Sequence, residues 1–148
     1  MAETLDTTDW LILGALQHDG RVPSTELARR VHLSASATTE RVRRLESTGV
    51  ITGYRADVDL AKVGYIVLAV VRLKYPGNRH DPLYRLIEER SEILECLRTT
   101  GDDCYTLKVA ATSMLHLEQL IDKLTPLGST TTNVVYSQTL PYRSPSGP

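Results

Sequence analysis

Residues 33–51 read LSASATTERVRRLESTGVI and bring basic and hydroxyl side chains close together. Arginine occupies positions 41, 43 and 44, and serine or threonine occupies positions 34, 36, 38 and 39. A guanidinium group can donate two parallel hydrogen bonds to a phosphate or to a base edge, and a hydroxyl group can donate or accept one. These side chains suit the binding of a polyanion. A solvated helix face with Glu40 and Arg44 paired across one turn is the alternative.

The positive charge is confined to this part of the chain. The 148 residues together have a formal net charge of −1, whereas residues 20–55 hold seven arginines against three glutamates. A local excess of four positive charges suits a polyanionic partner, but it also suits a solvated surface. Charge alone leaves these two interpretations evenly matched.

Composition argues against several classes of protein. The chain is 41% hydrophobic and 24% charged, as is usual for globular domains. It has no run of 18 apolar residues and no basic segment followed by an apolar one at its start, so we expect no membrane span, no secretory signal and a cytoplasmic location. Cys96 and Cys104 lack metal-ligand spacing, and no G-x-S-x-G, H-E-x-x-H or phosphate-loop motif occurs. We therefore expect no metal site, no cofactor and no enzyme.

Three short helices are predicted to position the basic side chains. The first is capped by Asp6, with Asp9 three residues on, and ends at Gly20. The second begins at Ser24, and the third runs over residues 34–48. Short helices with this spacing, the last two joined by a brief turn, describe a helix-turn-helix.

The third helix has a buried side and an exposed side on a wheel of about 100° per residue. The buried stripe consists of Thr38, Val42 and Leu45. The exposed side carries hydroxyl groups near the helix start and guanidinium groups farther along: Ser36, Thr39, Glu40, Arg43 and Arg44. Arg41 lies near the buried stripe, from which it could reach a phosphate. This arrangement is typical of a helix that reads the major groove of double-stranded DNA.

The second part of the chain alternates strands and helices. Strands are predicted over residues 66–75, 93–99, 104–111 and 130–140, and helices over residues 81–90 and 113–124. The order β-α-β-β-α-β describes a ferredoxin-like unit with an antiparallel sheet and both helices on one face. The predicted fold class is α+β.

The first strand of this sheet is apolar on both faces. One face carries Val67, Ala69, Val71 and Leu73, and the other carries Ile66, Leu68 and Val70. A sheet covered by helices on one side should alternate apolar and polar residues. We therefore expect a second copy of the chain to cover the other face, giving a two-fold dimer.

The sequence resembles the Lrp/AsnC family, the feast/famine regulators of bacteria and archaea. The resemblance covers about residues 4–142 and is carried by LDTTDWLIL, STELARRVHLSASATTERVRRLESTGVITGY, TGDDCYTLKV and TTTNVVYSQTL. It implies a winged-helix-like helix-turn-helix domain over residues 1–52 and a ferredoxin-like ligand-binding and dimerisation domain over 65–142. The alternating residues between these domains predict a linker strand over 53–64, and the Pro/Ser/Gly composition after them predicts a flexible tail over 143–148.

The resemblance also implies the functional residues and partners of a transcriptional regulator. The implied DNA contacts are Arg21, Ser34, Ser36, Thr39, Arg41, Arg43 and Arg44. The implied effector-binding residues are Thr100, Gly101, Asp102, Asp103, Cys104, Tyr105, Met114, Asn133, Val134 and Val135. The expected partners are double-stranded DNA, an amino acid or related metabolite bound between dimers, and further copies of the chain in a homodimer that assembles to an octamer or another higher ring.

The effector loop supports two interpretations. Gly101 frees backbone amides for a carboxylate, and Asp102 or Asp103 could hold an α-ammonium group, but Gly-Asp-Asp is also a good β-turn. Many members of the family have an aromatic residue and then an aspartate where this chain has Asp103 and Cys104. Because a thiol cannot replace that aspartate, either Asp103 substitutes for it or the ligand differs.

Two other functions share the expected architecture. Certain haem-pathway decarboxylases resemble it, but they would need histidine or arginine side chains that converge on a tetrapyrrole, and His80 and His116 do not obviously converge. A ferredoxin-like interaction module without DNA binding is the other alternative. Absorbance of a bound tetrapyrrole and binding to a DNA duplex separate the three possibilities.

Overall fold

The computed structural model describes residues 4–145 and Gly147, and the chain divides into two compact units. The N-terminal unit comprises Met1–Asp57 together with Leu140–Pro148, and the sheet unit comprises Val58–Thr139. None of the helices in the described part of the chain has the length and apolarity needed to cross a membrane.

The N-terminal unit contains three helices: α1 (Thr7–His18), α2 (Ser24–Arg30) and α3 (Ala35–Ser47). The predicted capping box of α1 is confirmed, because the carboxylates of Asp6 and Asp9 each accept a hydrogen bond from the other's backbone N–H. Ser34 caps α3 by accepting a hydrogen bond from the Ala37 N–H. The helices enclose a small core, whose buried members are Ile12, Leu13, Leu27, Val31 and Leu45.

The connection between α2 and α3 is a tight turn. His32 has a φ of 56°, a left-handed conformation in which histidine is enriched among non-glycine residues. Gly49, with a φ of 75°, follows the end of α3. The predicted helix-turn-helix is therefore confirmed.

The sheet unit has the order β-α-β-β-α-β. Its elements are β1 (Val67–Lys74), α4 (Asp81–Glu89), β2 (Ile93–Arg98), β3 (Tyr105–Ala111), α5 (Met114–Leu124) and β4 (Ser129–Val134). The strands form one antiparallel sheet in the order β2-β3-β1-β4. The ferredoxin-like α+β prediction is confirmed. The N-cap residue of α4 is His80, and Asp81 is the first residue of the helix.

Both helices of this unit cover the same face of the sheet. Ala69, Val71 and Leu73 of β1 are fully buried against them, with Leu83 of α4 in the same core. On the opposite face Ile66 is 69% exposed, and Leu68 and Val70 are half-buried. The covering of that face by a second copy stays a prediction.

Two segments differ from the expected organisation. The predicted linker strand over residues 53–64 is wrong: residues 53–59 have no regular structure and residues 60–64 form turns. Alternating side chains make a strand only beside a partner, and the described strands give this segment none. The last predicted strand is also shorter, because β4 ends at Val134.

The end of the chain belongs to the N-terminal unit. The Pro145 carbonyl accepts a hydrogen bond of 3.4 Å from Gln17 Nε2, and a Cβ atom built on Gly147 would lie 3.0 Å from the Trp10 ring. The predicted flexible tail spans residues 143–148, of which Ser146 and Pro148 lie outside the described residues, as do residues 1–3 of the first predicted domain.

Candidate nucleic-acid interface and effector loop

The exposed side of α3 presents the predicted reading residues. Ser36 and Arg43 are exposed, and Thr39 is half-buried, with its hydroxyl donating a 2.8 Å hydrogen bond to the Ala35 carbonyl. Thr38 and Leu45 are fully buried on the other side, as the helical wheel predicts. α3 therefore offers a polar, cationic surface to solvent.

Two of the predicted contacts, Arg41 and Arg44, are held by carboxylates of the first turn of α1. Arg41 Nη1 lies 2.7 Å from Asp6 Oδ2 and 2.9 Å from Asp9 Oδ1. Arg44 Nη2 lies 2.6 Å from Asp9 Oδ2. The side chain of Asp9 is only 1% exposed, so both of its oxygen atoms are enclosed by these partners.

The ionisation of these carboxylates follows from their hydrogen bonds. Burial acts to raise the pKa of Asp9, but hydrogen bonds from Arg44, from the Asp6 N–H and from Arg41 hold that pKa below its usual value. The pKa of Asp6 is lowered chiefly by the Asp9 N–H and then by Arg41. Both aspartates are therefore charged at neutral pH.

Arg43 lines a cavity of about 260 Å³ between the three helices. Its lining includes four apolar residues: Leu16, Val22, Leu27 and Val42. Tyr54 also lines the cavity and donates a 2.9 Å hydrogen bond to Glu46 Oε1; burial and this carboxylate raise the pKa of Tyr54 to about 12. Among the ion pairs of the described residues, none includes Arg43.

The remaining predicted DNA contacts lie at the edges of this surface. Arg21 is exposed just before α2, and its backbone N–H donates a 2.9 Å hydrogen bond to Asp19 Oδ1. The Ser34 hydroxyl is engaged in capping α3 and lies 3.1 Å from the Ser36 hydroxyl. Polar groups are thus exposed along α3 and just before α2, whereas Arg41 and Arg44 contact the start of α1.

The predicted effector loop joins β2 to β3. Gly101 has a φ of 103°, which requires the conformational freedom of glycine. The turn is closed by the Thr99 hydroxyl, which donates a 2.8 Å hydrogen bond to the Asp103 carbonyl. Thr100 and Asp102 are exposed at its tip.

The two carboxylates of the loop differ in their surroundings. Asp103 Oδ2 lies 3.6 Å from Arg72 Nη1, whereas Asp102 belongs to none of the ion pairs found among the described residues. The Cys104 thiol turns inward, where it accepts a 3.4 Å hydrogen bond from the Tyr75 N–H. Asp102 is therefore the exposed carboxylate of the loop, and within the described part of the chain it has no cationic partner.

Tyr105 lies in the core and not at the loop surface. Its side chain is 2% exposed, and burial raises its pKa to about 12. The hydroxyl lies 2.9 Å from His80 Nδ1. Tyr105 therefore supports the loop from below.

Of the other predicted effector residues, Met114 lies beyond the far end of β3, whereas Asn133 is level with the middle of that strand, because its partner Val70 also pairs with Lys108. Met114, 58% exposed, follows the end of β3, whereas the loop precedes its start; seven residues of strand separate them, about 20 Å. Asn133 pairs with Val70, and Val134 pairs with Ala69, so the two side chains point to opposite faces. Val135 is half-buried, and its N–H donates to the Leu68 carbonyl. Within one chain the structure does not bring these residues to the loop.

Sequence reasoning missed the partners of several functional side chains. Asp6 and Asp9 were identifiable as a capping box, but their pairing with α3 has no local signal. The Tyr54–Glu46 and Arg72–Asp103 contacts also join residues from separate segments. Excess acidic residues at the start of α1 were the available hint.

Family profiles match both units. A profile described as winged helix-turn-helix DNA-binding matches residues 5–52, and a profile described as Lrp/AsnC ligand binding domain matches residues 68–145. The first range contains the helix-turn-helix, and the second contains all of the sheet except Val67, together with the loop between β2 and β3.

Curated relatives and solved structures agree with the profiles. The HTH-type transcriptional regulator LrpC of Bacillus subtilis is 36% identical over 134 residues, covering 90% of this chain and 93% of LrpC. The LrpC structure superposes with a TM-score of 0.88 at 35% identity, covering 92% of this chain and 97% of that one. A feast or famine regulatory protein of Mycobacterium tuberculosis, complexed with L-methionine, gives a TM-score of 0.90 at 32% identity, covering 97% and 100%.

Proposed function

The chain belongs to the Lrp/AsnC family of transcriptional regulators, and from this premise we propose that it binds specific DNA sequences through α3 and responds to an amino acid or a related metabolite. The observation that carries the proposal is the exposed polar side of α3, with Ser36, Thr39 and Arg43 presented outward after a helix-turn-helix turn. Side chains of these types read base edges in the major groove.

A dimer would present two such helices to DNA. The apolar face of the sheet, where Ile66 is 69% exposed beside half-buried Leu68 and Val70, supports pairing with a second copy. Two-fold symmetry requires a pseudo-palindromic site whose half-sites lie about one helical turn, or a multiple of it, apart. Further association of dimers to an octamer or another ring is part of the same proposal.

The effector site is proposed to form between copies. Asp102 and the Gly101 turn lie at one end of β3 and Met114 lies beyond the other, so a ligand that touches both needs two chains. Asp102 would pair with the α-ammonium group, and backbone N–H groups near Gly101 would bind the carboxylate. The L-methionine complex of the M. tuberculosis relative supports this ligand class.

Selection of DNA from a random duplex pool tests the DNA-binding proposal. The full chain should enrich a pseudo-palindromic sequence, and affinity for that selected duplex can be measured by fluorescence anisotropy. Arg43→Ala should weaken binding about 10-fold or more and relax the preference at one base of each half-site, since a good bidentate contact contributes about 1–3 kcal/mol. Arg85→Ala, which removes an exposed arginine of α4, is the matched control. A pool that emerges without enrichment would refute sequence-specific binding.

Sedimentation velocity with and without a panel of amino acids, L-methionine included, tests the effector proposal. A responsive amino acid should change the assembly state of the wild-type chain. Asp102→Asn should abolish that change and leave duplex affinity intact, because it removes the unpaired carboxylate. Asp103→Asn, which removes the carboxylate that faces Arg72, should retain the response. A full response in Asp102→Asn would remove this residue from the site.

A further inference from the structure

An ionic cluster of four residues joins the first turn of α1 to the middle of α3. The cluster consists of Asp6, Asp9, Arg41 and Arg44, and its ion pairs measure 2.6–2.9 Å. We propose that Asp9 is a positioning residue for DNA reading: it keeps Arg41 and Arg44 on α1, and the cationic group delivered to the duplex by this stretch of α3 is Arg43. This inference rests on the proposed DNA binding.

The acceptor capacity of Asp9 is filled from three directions. Oδ1 accepts from Arg41, and Oδ2 accepts from Arg44 and, at 3.2 Å, from the Asp6 N–H. A carboxylate that is 1% exposed must be paired, since a buried and uncompensated charge is strongly destabilising. Asp9 therefore requires both arginines to stay where they are.

The positive charges of Arg41 and Arg44 are balanced within the cluster. Two guanidinium groups face two carboxylates, so the four residues together are neutral. Side-chain exposure of Arg41 is 32% and that of Arg44 is 42%, compared with 53% for Asp6. A phosphate near this cluster would meet no excess of positive charge. Arg43, which takes part in none of the ion pairs among the described residues, keeps its charge available.

The competing interpretation is that Arg41 and Arg44 swing to the phosphates when DNA binds. That movement would leave Asp9 buried without its two cationic partners, in the presence of a polyanion. The binding free energy gained from two phosphate contacts would then be offset by repulsion between the Asp9 carboxylate and the phosphates, and by the loss of the ion pairs of the cluster. The two interpretations predict opposite effects of removing the Asp9 charge.

The salt dependence of duplex binding separates the interpretations. Each phosphate neutralised by the protein contributes about 0.9 to the slope of log K against log salt concentration. Arg43 places its charge among the counterions of the duplex as it reads a base, so Arg43→Ala should lower the magnitude of the slope for the selected duplex by about 0.9 per chain, or about 1.8 for the dimer. Arg41→Ala and Arg44→Ala should leave the slope unchanged and reduce affinity by a similar factor at every salt concentration. Arg85→Ala controls for the loss of a charge elsewhere.

Asp9→Asn provides a test of sign. If the cluster positions α3, this variant should bind the duplex less tightly and with relaxed base preference, although it removes a negative charge. Its effect and that of Arg44→Ala should be strongly non-additive in the double variant, because both break the same contact. Far-UV circular dichroism at the assay temperature identifies variants that have unfolded. If Asp9→Asn is unfolded, the salt dependence of Arg44→Ala tests the inference in its place.

Specific results would overturn the inference. A loss of slope for Arg44→Ala equal to that for Arg43→Ala would place the Arg44 charge at the duplex, and tighter binding by Asp9→Asn would show that the Asp9 charge only repels DNA. A wild-type chain that binds no duplex would remove the proposed function together with this inference. Duplex binding by the wild type with an Arg44-dependent slope would remove the inference alone.

Discussion

Asp9 has two roles: it completes the capping box of α1, which the local sequence predicts, and it pairs with arginines of α3, which the local sequence does not predict. The D-x-x-D spacing of Asp6 and Asp9 predicts a capping box, and the structure forms it. The bonds from Asp9 to Arg41 and Arg44 join positions 32 and 35 residues apart. Helical periodicity shows which side of α3 a residue occupies, but it cannot show which helix lies across from that side. The sequence therefore predicted the arginines and not their partners.

The carboxylates of this cluster make the stability of the N-terminal unit dependent on acid. The folded-state pKa values of Asp6 and Asp9 are lowered, so their stabilising contribution is complete above the ordinary aspartate pKa of about 3.9. It is lost as the pH falls through the lower folded-state values. Urea unfolding, followed by Trp10 fluorescence, should show a sharp loss of stability below about pH 4.

Asp9→Asn should weaken this acid dependence, since the variant has one carboxylate fewer to protonate. Asp57→Asn, which changes an exposed aspartate of the same unit, is the control and should keep the wild-type profile. Identical pH profiles for Asp9→Asn and wild type would show that the ionised Asp9 does not stabilise the unit. Trp10, the single tryptophan, restricts the readout to the N-terminal unit.

Helix ends were predictable because their signals are local. Asp6 caps α1 as its spacing from Asp9 predicts, and Ser34 and Ser113 cap α3 and α5 at the positions where the sequence predicts those helices to begin. Strand prediction depends on a partner elsewhere in the chain. The alternating residues 53–64 have a strand-like pattern without a neighbouring strand, and they form turns and irregular structure instead.

Gly128, between α5 and β4, is required for space and not for its backbone angles. Its φ of 165° is an extended conformation that any residue adopts, but a Cβ atom there would collide with the Lys74 carbonyl oxygen on β1. Gly128→Ala should therefore destabilise the sheet unit by about 1–3 kcal/mol in thermal unfolding monitored by circular dichroism.

Gly14→Ala is the matched control for this substitution. Gly14 is exposed within α1, and an added Cβ atom would meet nothing within 4 Å. Because alanine favours a helix interior, this variant should stabilise the N-terminal unit by about 0.5–1 kcal/mol. A Gly128→Ala chain that unfolds at or above the wild-type temperature would show that the β1 backbone yields without cost.

The assembly of the molecule depends on the face of the sheet that its own helices leave uncovered. If a second copy covers it, Ile66→Asp should weaken the dimer. Each copy would lose about 1.5 kcal/mol or more of apolar burial, so the dissociation constant should rise about 100-fold. Sedimentation equilibrium measures this change. Leu115→Asp, at an α5 residue that is 64% exposed compared with 69% for Ile66, should leave the dimer intact.

A dimer that is equally sensitive to both substitutions would place the interface elsewhere. The two-sided apolar pattern of β1 is what the sequence contributes here: it shows that both faces need cover. It cannot show which strand lies beside Asn133 and Val134, which pair with Val70 and Ala69 of β1. Nor could it assign the end of the chain to the N-terminal unit, because the Gln17–Pro145 bond spans 128 positions.

The long sequence separation within the aspartate–arginine cluster has a consequence for the opening motions of the N-terminal unit. Bringing Asp9 to α3 closes a long loop of chain, and the entropic cost of that closure is the same for one bond as for several. The bonds of Asp9 to α3 should therefore form and break together, when α1 docks or undocks. Anything that holds α3 in place therefore also restrains α1. A duplex read by α3 would slow the exchange of amide hydrogens in α1 with solvent, even though another helix makes the contact.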